Sequence, residues 1–417
     1  MAFFLLLPAL AFVLSAAAPY RTVSHTSDIR SLQVYHGLGW DRSPVLEMED
    51  GEVSAQVLIT FDEMSHDFHR YAYRIVHCNA DWTPSGMMEM EYLEGFPEND
   101  VPEGECSRAT ARNYTHYEFC VPNDDVRLKL SGNYAVEVFD RDDASATVLT
   151  ACFSVVDAQM QIEAEAGTLT DLGANLMHQQ IEFSVKTGMG QVTRPEEELK
   201  TLVRQNRRTD NEVALTAPQM ISSDRIFYRH RRELIFEAGN EYRRFEFIHS
   251  KTGGMGVGCI RFIRPDYHLY LYESEPRTGG YSYDEDQNGR YLVYTSQLFN
   301  DSPVEADYFV VHFTLPMAQR LNPDRLFILG DLSCNRFDES SRMVWNEQSR
   351  CYEGSLLLKQ GSYNYMYVWE KNGHMTTART DGNYWQTENE YEIFVYYRPF
   401  GASYDALVAY TTLTCKP

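Results

Sequence analysis

"YRIVHCNADWTPSGMMEMEYLEG", Tyr73 to Gly95, reads as a strand that breaks into a turn at Asn79. His77 and Cys78 sit side by side at the break. Adjacent strand residues point to opposite faces, so the two cannot easily share one metal ion. A nucleophilic Cys78 needs a base held in place by the fold, which a sequence does not show. The stretch therefore reads as structural. His77 or Cys78 packs in a core, Asn79-Ala80-Asp81 turns the chain, and Trp82 covers one end of that core.

Working outward, "VSAQVLITFDEM" and "YAYRIVHC" lead into the break, and "THYEFCVP", "SGNYAVEVFDRD" and "ATVLTACFSVVD" follow it. Each is bounded by Gly, Pro, Asn or Asp. Short strands at this rhythm predict a β-sandwich of immunoglobulin-like size that closes near Asp157. A second run of strands begins at "MQIEAEAG" and continues through "HQQIEFSVKTG", "TLVRQNRR", "RIFYRHRRELIFEAG" and "EYRRFEFIH". "RPEEELKTLV" has a Glu-rich start that suits a helix, but Pro195 and the Val and Arg that follow favour a loop entering a strand. A third run holds "YFVVHFTL", "RLFILGDL", "CYEGSLLL", "YNYMYVW" and "YEIFVYYRP". No stretch carries a long helical period. The expectation is an all-β chain of tandem immunoglobulin-like sandwiches in a row, with domains at 18–157, 158–288 and 289–417.

Composition agrees. A chain of 417 residues exceeds one ordinary domain, and its 28 Tyr and 22 Phe favour pleated, half-buried surfaces. The net charge of -23 repels nucleic-acid phosphates and anionic headgroups, which argues against DNA or RNA binding. Residues 1–17 read as a secretory signal peptide, apolar through Val13 and then small, although no Lys or Arg precedes the apolar run. An exported chain with 8 Cys permits disulfides. Cys334 and Cys351 flank an expected hairpin and form the best candidate pair.

Other motifs are weaker. "DEDQNGRY" places Asp284, Asp286, Asn288 and Gly289 at calcium-loop spacing, but Thr295 stands where a bidentate Glu belongs. A polar turn at Asn288-Gly289 is the simpler reading. His66 and His69 are a lone pair, and no CxxC, GxSxG or Gly-rich phosphate loop occurs. No catalytic residue, metal or cofactor is expected. The third run resembles the glycogen- and starch-binding immunoglobulin-like modules through Gly330, Asp331, "YEGSLLL" and "YNYMYVW". The module's tryptophan position holds Asn335. Phe337, Trp369 and Trp385 are substitutes for stacking on a sugar, with core packing the stronger alternative.

Several segments together resemble one family. "IRSLQVYHGLGWDRSPVLEM", "HCNADW" followed by "EYLEGF", "NYTHYEFCVPND", "LSGNYAVEVFD" and the closing "GNYWQTENEYEIFVYYRPFGASYDALVAY" are similar to the plug protein of the type IX secretion system of Bacteroidetes. The resemblance implies a non-enzymatic periplasmic protein made of β-sandwiches. It implies a partner, a very large outer-membrane β-barrel translocon whose pore the plug closes when no substrate passes. A periplasmic carbohydrate-binding protein is the alternative. For a translocon contact, the turn from Asn79 to Gly95 is the first candidate, with Trp82, Met87, Met88 and the following Phe96. The competing reading folds this loop back over its own core.

Overall fold

Strand Val57–Glu63 shows how the fold is built. Val57, Ile59 and Phe61 alternate onto one face and are fully buried, as the period of a pleated strand requires. Tyr71–Cys78 repeats the device, with Tyr71, Tyr73 and Ile75 turned into the same core. The computed structural model describes residues 19–67, 69–296 and 302–416. The expected signal peptide at residues 1–17 lies outside the described residues.

The chain is nearly all β, and its strands form sandwiches around three separate cores. In the first, one sheet runs Glu52–Val53, Val45–Glu49, Asp143–Asp157, Gly132–Asp140, Tyr71–Cys78 and Glu98–Asp100 from edge to edge. Ile29–His36, Val57–Glu63, Thr115–Val121 and Glu105–Cys106 form the facing sheet. The second core lies between a sheet centred on His178–Lys186 and another ordered Val213–Leu215, Leu199–Gln205, Asn389–Tyr397, Ala406–Cys415. Pro195–Glu198 makes one helical turn where a loop was expected, with Pro at the position a helix start tolerates, and it runs directly into the expected strand, Leu199–Gln205. In the third, eight strands form one hydrogen-bonded path from Arg243–Phe247 through Gly361–Lys371 to Val257–Ile263, and two more strands pair with Gly361–Lys371 beside it.

Two expectations are corrected here. The pairings cross the expected cut at 288/289, because Arg243–Phe247 pairs with Gly361–Lys371 while Asn389–Tyr397 pairs with Leu199–Gln205. The sandwiches are therefore not strung in a row. The chain leaves the second sandwich, builds the third, and returns to complete the second with its last hairpin. Strand sequence specifies which face is apolar but not which distant edge it joins, so the spacing of strands along the chain suggested a simpler order. The proposed disulfide is the second correction: Cys334 and Cys351 are both free thiols. Cys351 opens strand Cys351–Lys359, with its thiol directed at the Ser349 carbonyl, whereas Cys334 ends a short 3-10 turn in a left-handed conformation.

The sandwiches are joined by buried contacts. Val45, Ala80 and Val156 of the first pack with Leu202, Phe394, Tyr396 and Leu407 of the second. Between first and third, Asp62 is fully buried and meets Lys359 Nζ at 2.6 Å, His116 Nδ1 at 2.7 Å and the Tyr308 hydroxyl at 2.6 Å. Burial alone would push the Asp62 carboxyl up, but Lys359 and His116 outweigh it and hold the group below its usual range.

Candidate partner-contact site

The stretch from Tyr73 to Phe96 divides into an inward half and an outward half. His77 and Cys78 do face opposite ways. His77 packs among Tyr92, Tyr134 and Tyr404 and donates from Nε2 to the Ser131 carbonyl at 3.2 Å. Burial holds it neutral, pulling its pKa down to about 4. Gly132 sits against this ring with φ +137, where an added Cβ would fall 2.6 Å from Nε2. Cys78 packs on the other face with Trp82 and Ala135. Burial also pushes the Cys78 thiol well above its usual value, the opposite of an activated nucleophile.

The break at Asn79 is a joint between sandwiches. The Ala80 amide donates to Asp405 Oδ2 at 3.0 Å, and Arg398 of the last hairpin donates to Asn79 Oδ1. Asp405 is buried and also meets Lys200 Nζ at 2.9 Å. Trp82 has φ 63 and is only 8% exposed, closing the turn over Cys78. It is thus covered by its own domain. Met87 is also partly buried against the first core.

Beyond Met87 the chain turns outward. Met88 is 65% exposed, Met90 73% and Phe96 66%. The segment is nevertheless braced. The Met88 amide donates to Glu91 Oε2 at 2.7 Å, and Tyr92 is buried with its hydroxyl on the Ile75 carbonyl at 3.1 Å. Leu93–Gly95 pairs with Val126–Leu128. Gly95 has φ +116, and an added Cβ would overlap the Asp125 carbonyl oxygen, so only glycine fits. Exposed Glu89, Glu91, Glu94 and Glu98 surround the apolar side chains. Of the residues expected at a contact, Met88 and Phe96 stand on this face, while Trp82 and Met87 do not. Met90, which is not among the expected contact residues, is exposed as well, on the helical turn Glu89–Tyr92 whose buried residue is Tyr92.

The remaining motifs resolve into structure. Asp284 pairs with Arg244, while Asp286 is half-buried, accepts from the Tyr242 and Asn288 amides, and has its pKa pushed up to about 6 by desolvation. These carboxylates serve the turn's backbone and a neighbouring arginine. Among the described residues no three His, Cys, Asp or Glu side chains form a metal-binding group. Trp369 is 7% exposed with its indole N–H on the Pro323 carbonyl at 2.8 Å, and Phe337 packs edge-on to Phe327. Trp385 is half-buried, its carbonyl accepting from Gln179. The three do not form an open stacking platform.

Among the described residues no helix is long and apolar enough to cross a membrane. No curated protein matches the chain. A family model described as the first domain of the type 9 secretion system plug protein matches residues 29–157, the first sandwich. The crystal structure of a hypothetical protein from Parabacteroides merdae is 40% identical, with a TM-score of 0.92 over 96% of this chain and 100% of that one. The BSP domain of a biofilm associated protein is 9% identical with a TM-score of 0.17, over 98% of this chain and 62% of that one, and carries no argument. The domain match lies on the sandwich that holds the "HCNADW" joint and the braced apolar loop, and this chain belongs to the type IX secretion system plug protein family.

Proposed function

We propose that the chain is a periplasmic plug that docks on the large outer-membrane β-barrel translocon of the type IX system and closes it while no cargo passes. The match of residues 29–157 to the plug's first domain carries this reading. The family is a structural, non-catalytic one, tied to a type IX component and to the cell envelope. In this reading the protein acts by binding alone, and the leader at residues 1–17 delivers it to the periplasm. Met88, Met90 and Phe96 form the docking face. Their exposed apolar side chains, rimmed by glutamates on a braced loop, have the make-up of an interface centre with a polar surround. Methionine adapts to a partner surface that must be gripped and released.

The test is co-purification of the tagged chain with the translocon from detergent-extracted outer membranes. Wild type is expected to capture the barrel. Met88→Asp with Phe96→Asp should keep its melting temperature and lose at least about tenfold in association, the effect of removing interface anchors. Undiminished capture by this folded variant removes the loop from the interface. Failure of wild type to capture any barrel overturns the plug reading.

A further inference from the structure

The three sandwiches converge on a cavity that pore closure does not require. It has a volume of about 190 Å³, and all three domains contribute walls. Trp40 and Trp82 come from the first, Arg204 and Arg207 from the second, and Arg290 and Asp331 from the third; Arg21, near the start of the described chain, completes it. Four guanidinium-bearing residues thus line one space in a chain of net charge -23. Their carboxylate partners are Glu392 for Arg204, Glu390 for Arg290, Asp331 for Arg207 and, at 3.8 Å, Glu212 for Arg21. Only Asp331 of these forms part of the wall. The wall thus presents four guanidinium groups and one carboxylate, with each guanidinium paired to a carboxylate beside or behind it. At physiological salt the distant acidic surface is screened within about 8 Å.

Two of the arginines have donors to spare. Arg207 meets Asp331 through one contact of 3.2 Å, although a guanidinium offers five N–H groups. Burial lowers its pKa, and neighbouring Arg290 adds to that effect. Arg290 is 7% exposed, with Nη2 on Glu390, Nη1 on the Gln287 carbonyl at 3.3 Å and a buried Nε without a partner. Arg207 is also held at a backbone cost. Asn206 and Arg207 have φ of 51 and 58, successive left-handed residues that are not glycine. The turn is locked by the Arg208 amide on the Gln205 carbonyl and by Asn206 Nδ2 on Asn389 Oδ1. Strain of this kind, over-determined by its surroundings, collects where a side chain must be aimed.

We propose that this cavity binds a small organic anion with an aromatic body. Its carboxylate or sulfonate is held by Arg207 and Arg290 through charge-assisted hydrogen bonds, and its ring lies against Trp40 and Trp82. The space is adequate, since a cavity of about 150 Å³ takes a benzene ring. A bound anion would touch all three sandwiches and stabilise their mutual arrangement.

The experiment uses the full chain with benzoate as probe and benzamide as its neutral isostere, by titration calorimetry and thermal shift. Benzoate is expected to bind once per chain and raise the melting temperature, with benzamide at least tenfold weaker. Arg207→Gln should reduce benzoate to the benzamide level. Thr209→Trp fills the exposed rim while leaving every arginine in the chain and should abolish binding, so the result stands even if Arg207→Gln fails to fold. Equal affinity for the two probes, binding unchanged by Thr209→Trp, or no binding at millimolar benzoate each overturns the proposal.

Discussion

His77 shows how much one residue in the opening stretch decides. Its ring is enclosed by three tyrosines, and among the described residues its Nδ1 meets no hydrogen-bond partner. Its folded pKa of about 4 lies below the ordinary value of 6.5. Protonation therefore favours the unfolded chain. The stability this neutral histidine supplies is fully present above pH 6.5 and is lost as pH falls toward 4. Between pH 7 and 5 the loss is about 2 kcal/mol. Glu241 and Asp286, whose carboxyls burial raises to about 7 and about 6, work in the opposite direction, because acid relieves their buried charge. The comparison of wild type with His77→Gln isolates the histidine. Denaturant unfolding at both pH values should show about 2 kcal/mol less acid destabilisation in the variant. Equal pH dependence would mean that the ring is solvated in the folded protein.

At the scale of elements, the last hairpin carries more than its place at the end of the chain suggests. Asn389–Tyr397 and Ala406–Cys415 supply Tyr391, Ile393, Val395 and Val408 to the second core, all fully buried. Their burial is worth roughly 1.5–3 kcal/mol per side chain, which in sum rivals the net stability of a domain. The same hairpin brings Arg398 and Asp405 to the Asn79 turn. Truncation after residue 388 should therefore unfold the second sandwich while the first keeps its complete core. Limited proteolysis read by mass spectrometry should show cleavage throughout residues 160–236 and protection of residues 29–157. A protected second sandwich in the truncated chain would show that the hairpin is dispensable.

At the scale of the whole molecule, the joints use charge where isolated domains would use water. Lys359 is 1% exposed and donates to Asp62 and to the Pro303 carbonyl, with its ammonium 4.1 Å from the centre of the Tyr114 ring. Burial pulls its pKa down, and Asp62 opposes that shift. Such a pair contributes little against an apolar substitute, but removal of one partner strands the other. Lys359→Met should cost about 3–5 kcal/mol, and Asp62→Asn in the same chain should recover most of it. Chemical denaturation of the single and double variants measures both. A single variant as stable as wild type would mean that His116 alone compensates Asp62.

The sequence by itself determined the secondary structure and the faces. The period-two runs placed Val57, Ile59 and Phe61 inside, and the adjacency of His77 and Cys78 put their side chains on opposite faces of the strand. These are local consequences of the pleat, legible over a few residues. The family resemblance was equally legible, because its landmarks are contiguous. Tertiary structure alone decided which edges meet. Leu199–Gln205 pairs with a strand nearly two hundred positions later, and no local pattern encodes that distance. It also decided that Trp82 covers a core while Met88, Met90 and Phe96 are exposed, since the turn at Asn79, the helical turn Glu89–Tyr92 and the strand Leu93–Gly95 each set their own side chains by what they pack against. The arginine-lined cavity exists only where three sandwiches meet. Its residues lie far apart along the chain, and only their packing makes them neighbours.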